Sequence, residues 1–94
     1  MSSHVTDEAE VIVYWRPGCP YCSSLFRQLD QLGVQYRRVD IWSDPDAAAV
    51  VRSFARGNET VPTVVIGDLG LVNPPGSEVF ALARERAPQA VAGS

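Results

Sequence analysis

The chain lacks lysine, and it has only two cysteines and a single histidine. All eight cationic side chains are therefore arginines, spread along a chain whose formal net charge is −3. Because they form no basic patch, we expect no nucleic-acid partner. A structural zinc site needs four ligands, and the two cysteines with His4 are too few to form one within the chain. We therefore expect no metal held by one chain alone.

Long apolar runs are also missing. No stretch approaches the roughly 20 residues that a membrane-spanning helix requires, and the polar, acidic start of the chain does not have the composition of a secretory signal peptide. We therefore expect a cytoplasmic protein with no membrane partner. In that reducing compartment, Cys19 and Cys22 are expected to be catalytic or metal-binding rather than a structural disulfide.

The length of 94 residues suits one compact domain. We expect a disordered lead-in at residues 1–9, one ordered domain at 10–88 and a flexible tail at 89–94. The composition, with 46% hydrophobic and 20% charged residues, is that of an ordinary globular protein.

The hydrophobic pattern predicts the element order β-α-β-α-β-β-α. The continuous apolar run at 11–15 predicts a strand buried on both faces, and the helix that starts at Pro20 is predicted to end at Gly33 in a left-handed cap. The later elements are predicted as a strand within 34–41, a helix capped by Ser43, a strand at 63–66, a partner strand at 71–72 and a helix capped by Ser77.

This order also predicts how the strands pair. The first two β-α units are expected to form parallel strands with right-handed crossovers, and the glycine-flanked turn at 67–70 is expected to join an antiparallel hairpin. The expected architecture is an α/β fold in which three helices flank a four-stranded mixed sheet.

Cys19 falls where the first strand gives way to the first helix. The free N–H groups and the positive end of that helix favour the thiolate form of its sulfur. Lowering a thiol pKa by ~3 units takes about 4 kcal/mol, whereas a helix terminus contributes roughly 0.3–2 kcal/mol. We therefore expect a cation to assist. Arg16 is the candidate, with a solvated surface charge as the alternative interpretation.

Cys22 lies one helical turn after Cys19. Residues three apart on a helix have Cβ atoms ~5–6 Å apart, and a disulfide needs roughly 3.5–4.5 Å; a slight tightening of the first turn closes the gap. Cys22 is expected to be more enclosed and less acidic. The pattern thus predicts that Cys19 attacks and Cys22 resolves, with two inert buried cysteines as the alternative.

The letters YWRPGCPYC at 14–22, followed by TVP at 60–62, resemble the glutaredoxins of the thioredoxin superfamily. The resemblance covers roughly residues 10–88. It implies a thioredoxin-like fold, disulfide-reductase activity, no tightly bound cofactor and a cis Pro62 against the cysteines. A proline there leaves the backbone of Val61 free to pair with an extended substrate.

Glutaredoxins bind glutathione partly through a Gly-Gly pair before the last helix, and the segment LVNPPGSE at 71–78 lacks it. The letters NETVPTV at 58–64 resemble instead the mycoredoxins of actinobacteria, which reduce mixed disulfides between proteins and mycothiol. The resemblance implies thiolated proteins as partners and mycothiol, rather than glutathione, as co-substrate. The groove around the cysteines is expected to include Arg16, Pro20, Tyr21, Thr60, Val61, Pro62, Asn73 and Ser77.

Some of these assignments have alternatives. Asn73 also suits a turn, and Ser77 a helix cap; Trp15 is expected in the core, and Trp42 receives no function. We expect the chain to be a monomer. An alternative function is that of a dithiol electron donor to one enzyme, such as ribonucleotide reductase, with thioredoxin reductase returning the donor to its reduced form. A non-enzymatic alternative is a dimer that shares an iron–sulfur cluster through Cys19, although Pro20 stiffens the turn involved.

Overall fold

The computed structural model describes residues 9–91. Their order of strands and helices is the predicted β-α-β-α-β-β-α. The elements are β1 (Val11–Trp15), α1 (Pro20–Leu32), β2 (Arg37–Asp40), α2 (Pro45–Phe54), β3 (Thr63–Ile66), β4 (Leu69–Val72) and α3 (Gly76–Arg86), followed by a 3-10 helix (Pro88–Ala90).

The four strands form one mixed sheet in the order β2-β1-β3-β4. β1 pairs in parallel with β2 and antiparallel with β3, and β3 pairs antiparallel with β4. The predicted four-stranded mixed sheet is therefore confirmed. Because β1 and β2 are parallel, their carboxyl ends meet at one edge of the sheet, and the chain enters α1 from that edge.

Both faces of the sheet are covered. Successive side chains of β1 point to opposite faces, so Val13 joins the core under α1 and α3, where it meets Leu29 and Val79. Tyr14 joins a second core under α2, which contains Val51. Burying such an aliphatic side chain contributes about 1.5–3 kcal/mol. The two cores hold β1 rigidly beneath the start of α1.

The helix ends agree with the predictions at α1 and differ at α2 and α3. Gly33 ends α1 with φ 76°, the left-handed cap that was predicted. The cap of α2 is Asp44 rather than Ser43, because the Ser43 hydroxyl donates instead to Asp40 at 3.1 Å. The prediction that Ser77 caps α3 was also wrong, since that helix has no side-chain cap of its own at Pro75.

Three further boundaries differ from the prediction in detail. β4 begins at Leu69, because the turn after β3 uses only two residues. The packed part of the chain extends to Val91, which packs against the core. The preceding Ala90 is buried, and its carbonyl accepts from the Gln35 N–H at 2.7 Å. At the other end, Ala9 packs against the core. The rest of the predicted lead-in and the end of the predicted tail lie outside the described residues.

Within residues 9–91, none of the helices combines the length and the apolar character that crossing a bilayer requires.

Candidate active site

Cys19 is the residue that caps α1. It has an extended backbone at the N-cap, and its Sγ accepts a hydrogen bond from the backbone N–H of Cys22 at 3.2 Å. Pro20 follows as the first residue of the helix, where its lack of an N–H leaves no bond unmade. The sulfur thus takes the place of the serine or aspartate oxygen that usually caps a helix, and it faces the positive end of the helix.

Both cysteines are free thiols and both are largely covered. Cys19 retains 6% of its surface and Cys22 none. Three residues that neighbour the cysteines in the chain, Pro17, Gly18 and Tyr21, are exposed to solvent. Cys19 is therefore the more accessible of the two cysteines.

The pKa of the Cys22 thiol is raised to about 12. Burial is the main cause, and the hydrogen bond and charge of Cys19 raise it further. A hydrogen bond with the Arg16 backbone and the Arg16 charge act in the opposite direction. At neutral pH, Cys22 is therefore a protonated thiol.

The start of β3 forms the other wall of the site. The Val61–Pro62 peptide bond is cis, and the Val61 carbonyl lies 3.8 Å from the Cys19 Sγ. Pro62 is buried, and its carbonyl accepts from the Asn73 N–H at 2.7 Å, while Asn73 adopts φ 52°. The exposed Thr60 accepts from the buried hydroxyl of Thr63 at 2.8 Å. The structure thus places the Val61 carbonyl against Cys19, and it joins Asn73 to the next residue, Pro62.

Arg16 directs its side chain to an aromatic ring. Its guanidinium carbon lies 5.6 Å from the centre of the Trp42 ring, and its Nη1 donates to the Pro17 carbonyl at 3.4 Å. Trp42 is 65% exposed. Sequence reasoning assigned Trp42 no function. It directly follows β2, however, and the parallel pairing with β1 places it at the edge of the sheet from which α1 starts.

Gln28 is a second residue that sequence reasoning missed. Its Oε1 accepts a hydrogen bond from the Gly76 N–H at 2.6 Å, which ties α1 to the start of α3. Its Nε2 donates to the hydroxyl of Ser24 at 3.2 Å. The sequence around Gln28 carries no local signal for a contact 48 positions away.

Ser77, which was expected in the groove, is exposed in the first turn of α3.

The described part of the chain holds no group of three or more His, Cys, Asp or Glu side chains that is able to bind a metal ion.

A cavity of about 330 Å³ lies at the amino-terminal end of β1, whereas the cysteines follow its carboxyl end. Its lining includes Glu10 and Arg37, which form an exposed ion pair at 3.1 Å. Its lining contains none of the residues expected around the cysteines, so this cavity is separate from the cysteine pair.

Comparison with known proteins places these features in context. The family model for glutaredoxin matches residues 11–70. Mycoredoxin 1 of Corynebacterium glutamicum is 39% identical over 74 residues, which are 78% of this chain and 91% of that protein. A glutaredoxin of Ricinus communis is 39% identical over 59 residues, and the match covers 61% of this chain but only 58% of that relative's length.

Solved structures share the fold. The glutaredoxin-like NrdH-redoxin of Escherichia coli, described as having a thioredoxin-like activity profile, superposes with a TM-score of 0.65 at 25% identity and covers 77% of this chain and 92% of its own. Glutaredoxin of Brucella melitensis superposes with a TM-score of 0.60 at 27% identity, over 94% of this chain and 95% of its own.

Proposed function

Because the chain belongs to the glutaredoxin family of thiol–disulfide oxidoreductases, we propose that it frees protein thiols from mixed disulfides with a low-molecular-weight thiol. Cys19 is the proposed nucleophile. The observation that carries this proposal is the position of its sulfur, which caps α1 and accepts the Cys22 N–H at 3.2 Å. A thiolate at that position is stabilised by both the hydrogen bond and the helix end.

The proposed reaction has two exchange steps. In the first, the Cys19 thiolate attacks the low-molecular-weight sulfur of the mixed disulfide; a new disulfide forms at Cys19, and the protein thiolate leaves and takes up a proton. In the second, a free low-molecular-weight thiolate attacks the same small-molecule sulfur. Cys19 leaves as thiolate, and the small thiol is released as its symmetrical disulfide. Each turnover consumes one free small thiol: the protein sulfur returns from the disulfide to the thiol, and that small thiol is oxidised as it enters the symmetrical disulfide.

Cys22 offers a second route out of the intermediate. Because burial holds its pKa at about 12, Cys22 is protonated while Cys19 attacks. Two of the causes that raise this pKa, the hydrogen bond and the charge of Cys19, depend on a free Cys19 sulfur. Forming a disulfide at Cys19 removes both, so Cys22 becomes more acidic when it is needed to displace the bound partner.

Mycothiol is the proposed small thiol. Two observations support mycothiol: the similarity to Mycoredoxin 1 extends over 91% of that protein, and the segment 71–78 lacks a Gly-Gly pair. We propose that the protein acts as a monomer in the cytoplasm, where such thiols are kept reduced. The test compares mycothiol with glutathione as reductant of one mixed-disulfide substrate. A higher kcat/KM with mycothiol supports the proposal, and a higher value with glutathione contradicts it.

A second candidate is a dithiol electron donor recharged by thioredoxin reductase, with an enzyme such as ribonucleotide reductase as acceptor. The similarity to NrdH-redoxin favours it, and so do two adjacent free thiols. NADPH oxidation with thioredoxin reductase, in the absence of any small thiol, would select this function. The proposed function instead requires the small thiol.

A further inference from the structure

The buried hydroxyl of Thr63 closes a short turn beside the cysteine pair, and we infer that Thr63 is a positioning residue for the disulfide that reacts at Cys19. Its hydroxyl donates to the Thr60 carbonyl at 2.8 Å. This bond holds the intervening Val61 peptide where it pairs with the backbone of a cysteinyl peptide. The inference rests on the proposed function, because it concerns how the disulfide is held during the attack.

Thr63 is a rigid anchor for this turn. It is the first residue of β3, and it pairs with Tyr14 on β1 and with Val72 on β4. Its side chain is fully buried although it carries a hydroxyl. A buried hydroxyl is costly to leave without a hydrogen bond. The strand therefore fixes the hydroxyl, and the hydroxyl fixes the Thr60 carbonyl.

The Val61 peptide lies between two such fixed points. On one side the Thr60 carbonyl accepts the Thr63 hydroxyl. On the other side the Pro62 carbonyl accepts from the Asn73 N–H at 2.7 Å. The Val61 side chain packs against the core. The peptide groups of Val61 are therefore held in place, and Thr63 supplies the contact on the side that precedes Val61.

The backbone polar groups of Val61 are left for a partner. Within residues 9–91, the Val61 N–H donates to no group of the chain, and the Val61 carbonyl accepts only from the Cys19 thiol. Ionisation of Cys19 removes that donor, so both groups of the half-buried Val61 are then unpaired. Covered backbone groups need hydrogen-bond partners, and an extended peptide offers a donor and an acceptor at the spacing of a β ladder.

The position of Val61 connects this pairing to the chemistry. The Val61 carbonyl lies 3.8 Å from the Cys19 sulfur. A peptide residue that exchanges hydrogen bonds with Val61 lies at the strand spacing of about 4.8 Å, so a cysteine at that position brings its disulfide to the Cys19 sulfur. The attack then starts from a bound and oriented disulfide. A disulfide without amide groups gains nothing from this contact.

The test measures how fast Cys19 attacks three thionitrobenzoate disulfides, in a Cys22→Ser parent. The other half of the disulfide is a peptide with a central cysteine, the same peptide with methylated amide nitrogens beside that cysteine, or a second thionitrobenzoate. The Cys19 thiolate attacks the sulfur of this other half and becomes joined to it in a new disulfide. The coloured thionitrobenzoate leaves as thiolate, and its absorbance gives the rate constant.

The readout is the ratio of the rate constants for the unmodified and the methylated peptide. The parent is expected to attack the unmodified peptide about three- to tenfold faster. Thr63→Val removes the hydroxyl and is expected to bring the ratio close to one, with no change for the symmetrical disulfide. Thr63→Ser keeps the hydroxyl and is expected to retain most of the ratio.

Ser53→Ala is the matched control. The exposed Ser53 hydroxyl also donates to a carbonyl three residues earlier, that of Val50 on the same helix, at 2.6 Å. Removing it is expected to leave the ratio unchanged. Because each ratio comes from a single variant, a general loss of folded protein cancels.

Equal ratios in Thr63→Val and the parent overturn the inference, as does an equal loss of rate with all three disulfides. A ratio near one in the parent also overturns it, and that measurement needs no change at Thr63. Failure of the proposed function has a different signature: the wild type then shows no turnover with any small thiol. A single attack at Cys19 does not require turnover, so the ratio reports on Thr63 in either case.

Discussion

The Cys19 sulfur and the Cys22 N–H are joined by a 3.2 Å hydrogen bond, so the proposed nucleophile is also the cap of the helix that carries its partner cysteine. Reactivity and local structure therefore depend on the same contact. Any disulfide formed at Cys19 adds a covalent bond to the capping atom. The start of α1 is thus the part of the chain where the redox state has the most direct structural effect.

The capping role predicts a stability difference between two variants of Cys19. Serine is among the best N-cap residues, whereas replacing a capping side chain by alanine costs ~1 kcal/mol. We therefore expect Cys19→Ser to keep the wild-type free energy of unfolding within ~0.5 kcal/mol, and Cys19→Ala to lose about 1 kcal/mol, both measured by urea unfolding under reducing conditions. Equal stabilities of the serine and alanine variants would show that the contact is not a cap.

The raised pKa of Cys22 predicts a pH-dependent stability. The thiol has an ordinary pKa of 9.0, and in the folded protein its pKa is about 12. The folded state therefore binds the proton more tightly, so the stabilisation is complete below pH 9 and is lost as the pH rises towards 12. The slope is at most about 1.4 kcal/mol per pH unit.

Urea unfolding at several pH values between 8 and 10.5 measures this slope, with Cys22→Ser as the comparison. The wild type is expected to lose stability more steeply than the variant above pH 9. Burial also raises the pKa of Tyr36, but this contribution is present in both proteins and cancels. Parallel curves for the two proteins would contradict the assignment.

The Arg16 charge predicts an effect on the resolving step. It lowers the pKa of Cys22, so Arg16→Ala is expected to slow the closure of the Cys19–Cys22 disulfide from a mixed disulfide at neutral pH by about two- to tenfold. Stopped-flow mixing or rapid acid quench measures this rate. Arg16→Lys keeps the charge and is expected to recover part of it. Arg27→Ala, an exposed arginine on α1, is the control, and an equal loss in that variant would contradict a specific role.

The contact with Trp42 predicts a related but smaller effect. An exposed cation–π pair contributes ~0.5–1 kcal/mol, and here it fixes the Arg16 side chain at 5.6 Å from the ring. Trp42→Ala is therefore expected to slow closure less than Arg16→Ala does. In the double variant, the tryptophan change is expected to add nothing further. Full additivity of the two effects would show that the residues act independently.

The sequence predicted the fold because its signals were local. The apolar run of β1 and the left-handed glycine at Gly33 depend on near neighbours. The predicted cap of α2 failed because polar neighbours competed: the Ser43 hydroxyl bonds to Asp40, so Asp44 caps α2 instead. Two short polar side chains lie close in sequence there, and only the folded geometry selects between them. The predicted cap of α3 failed because that helix begins after Pro75 with no side-chain cap.

The same distinction between local signals and contacts that only the fold creates applies to the candidate site. The cysteine pair follows from one spacing, and the position of Pro62 beside it was implied by the family resemblance. The contact between Gln28 and Gly76 spans 48 positions and joins two helices, so no local pattern indicates it. The position of Trp42 could be predicted in part from the sequence, because the parallel pairing of β1 and β2 places Trp42 beside Arg16.

The most direct test is the turnover of one protein mixed disulfide by the wild type, Cys19→Ser and Cys22→Ser, with the small thiol in excess. The account predicts that Cys19→Ser, although folded, loses activity at least about a hundredfold, because no other thiol of the chain is both accessible and able to attack at neutral pH. Cys22→Ser is expected to retain turnover by the two-step exchange. Full activity of Cys19→Ser would contradict the assignment of Cys19 as the nucleophile.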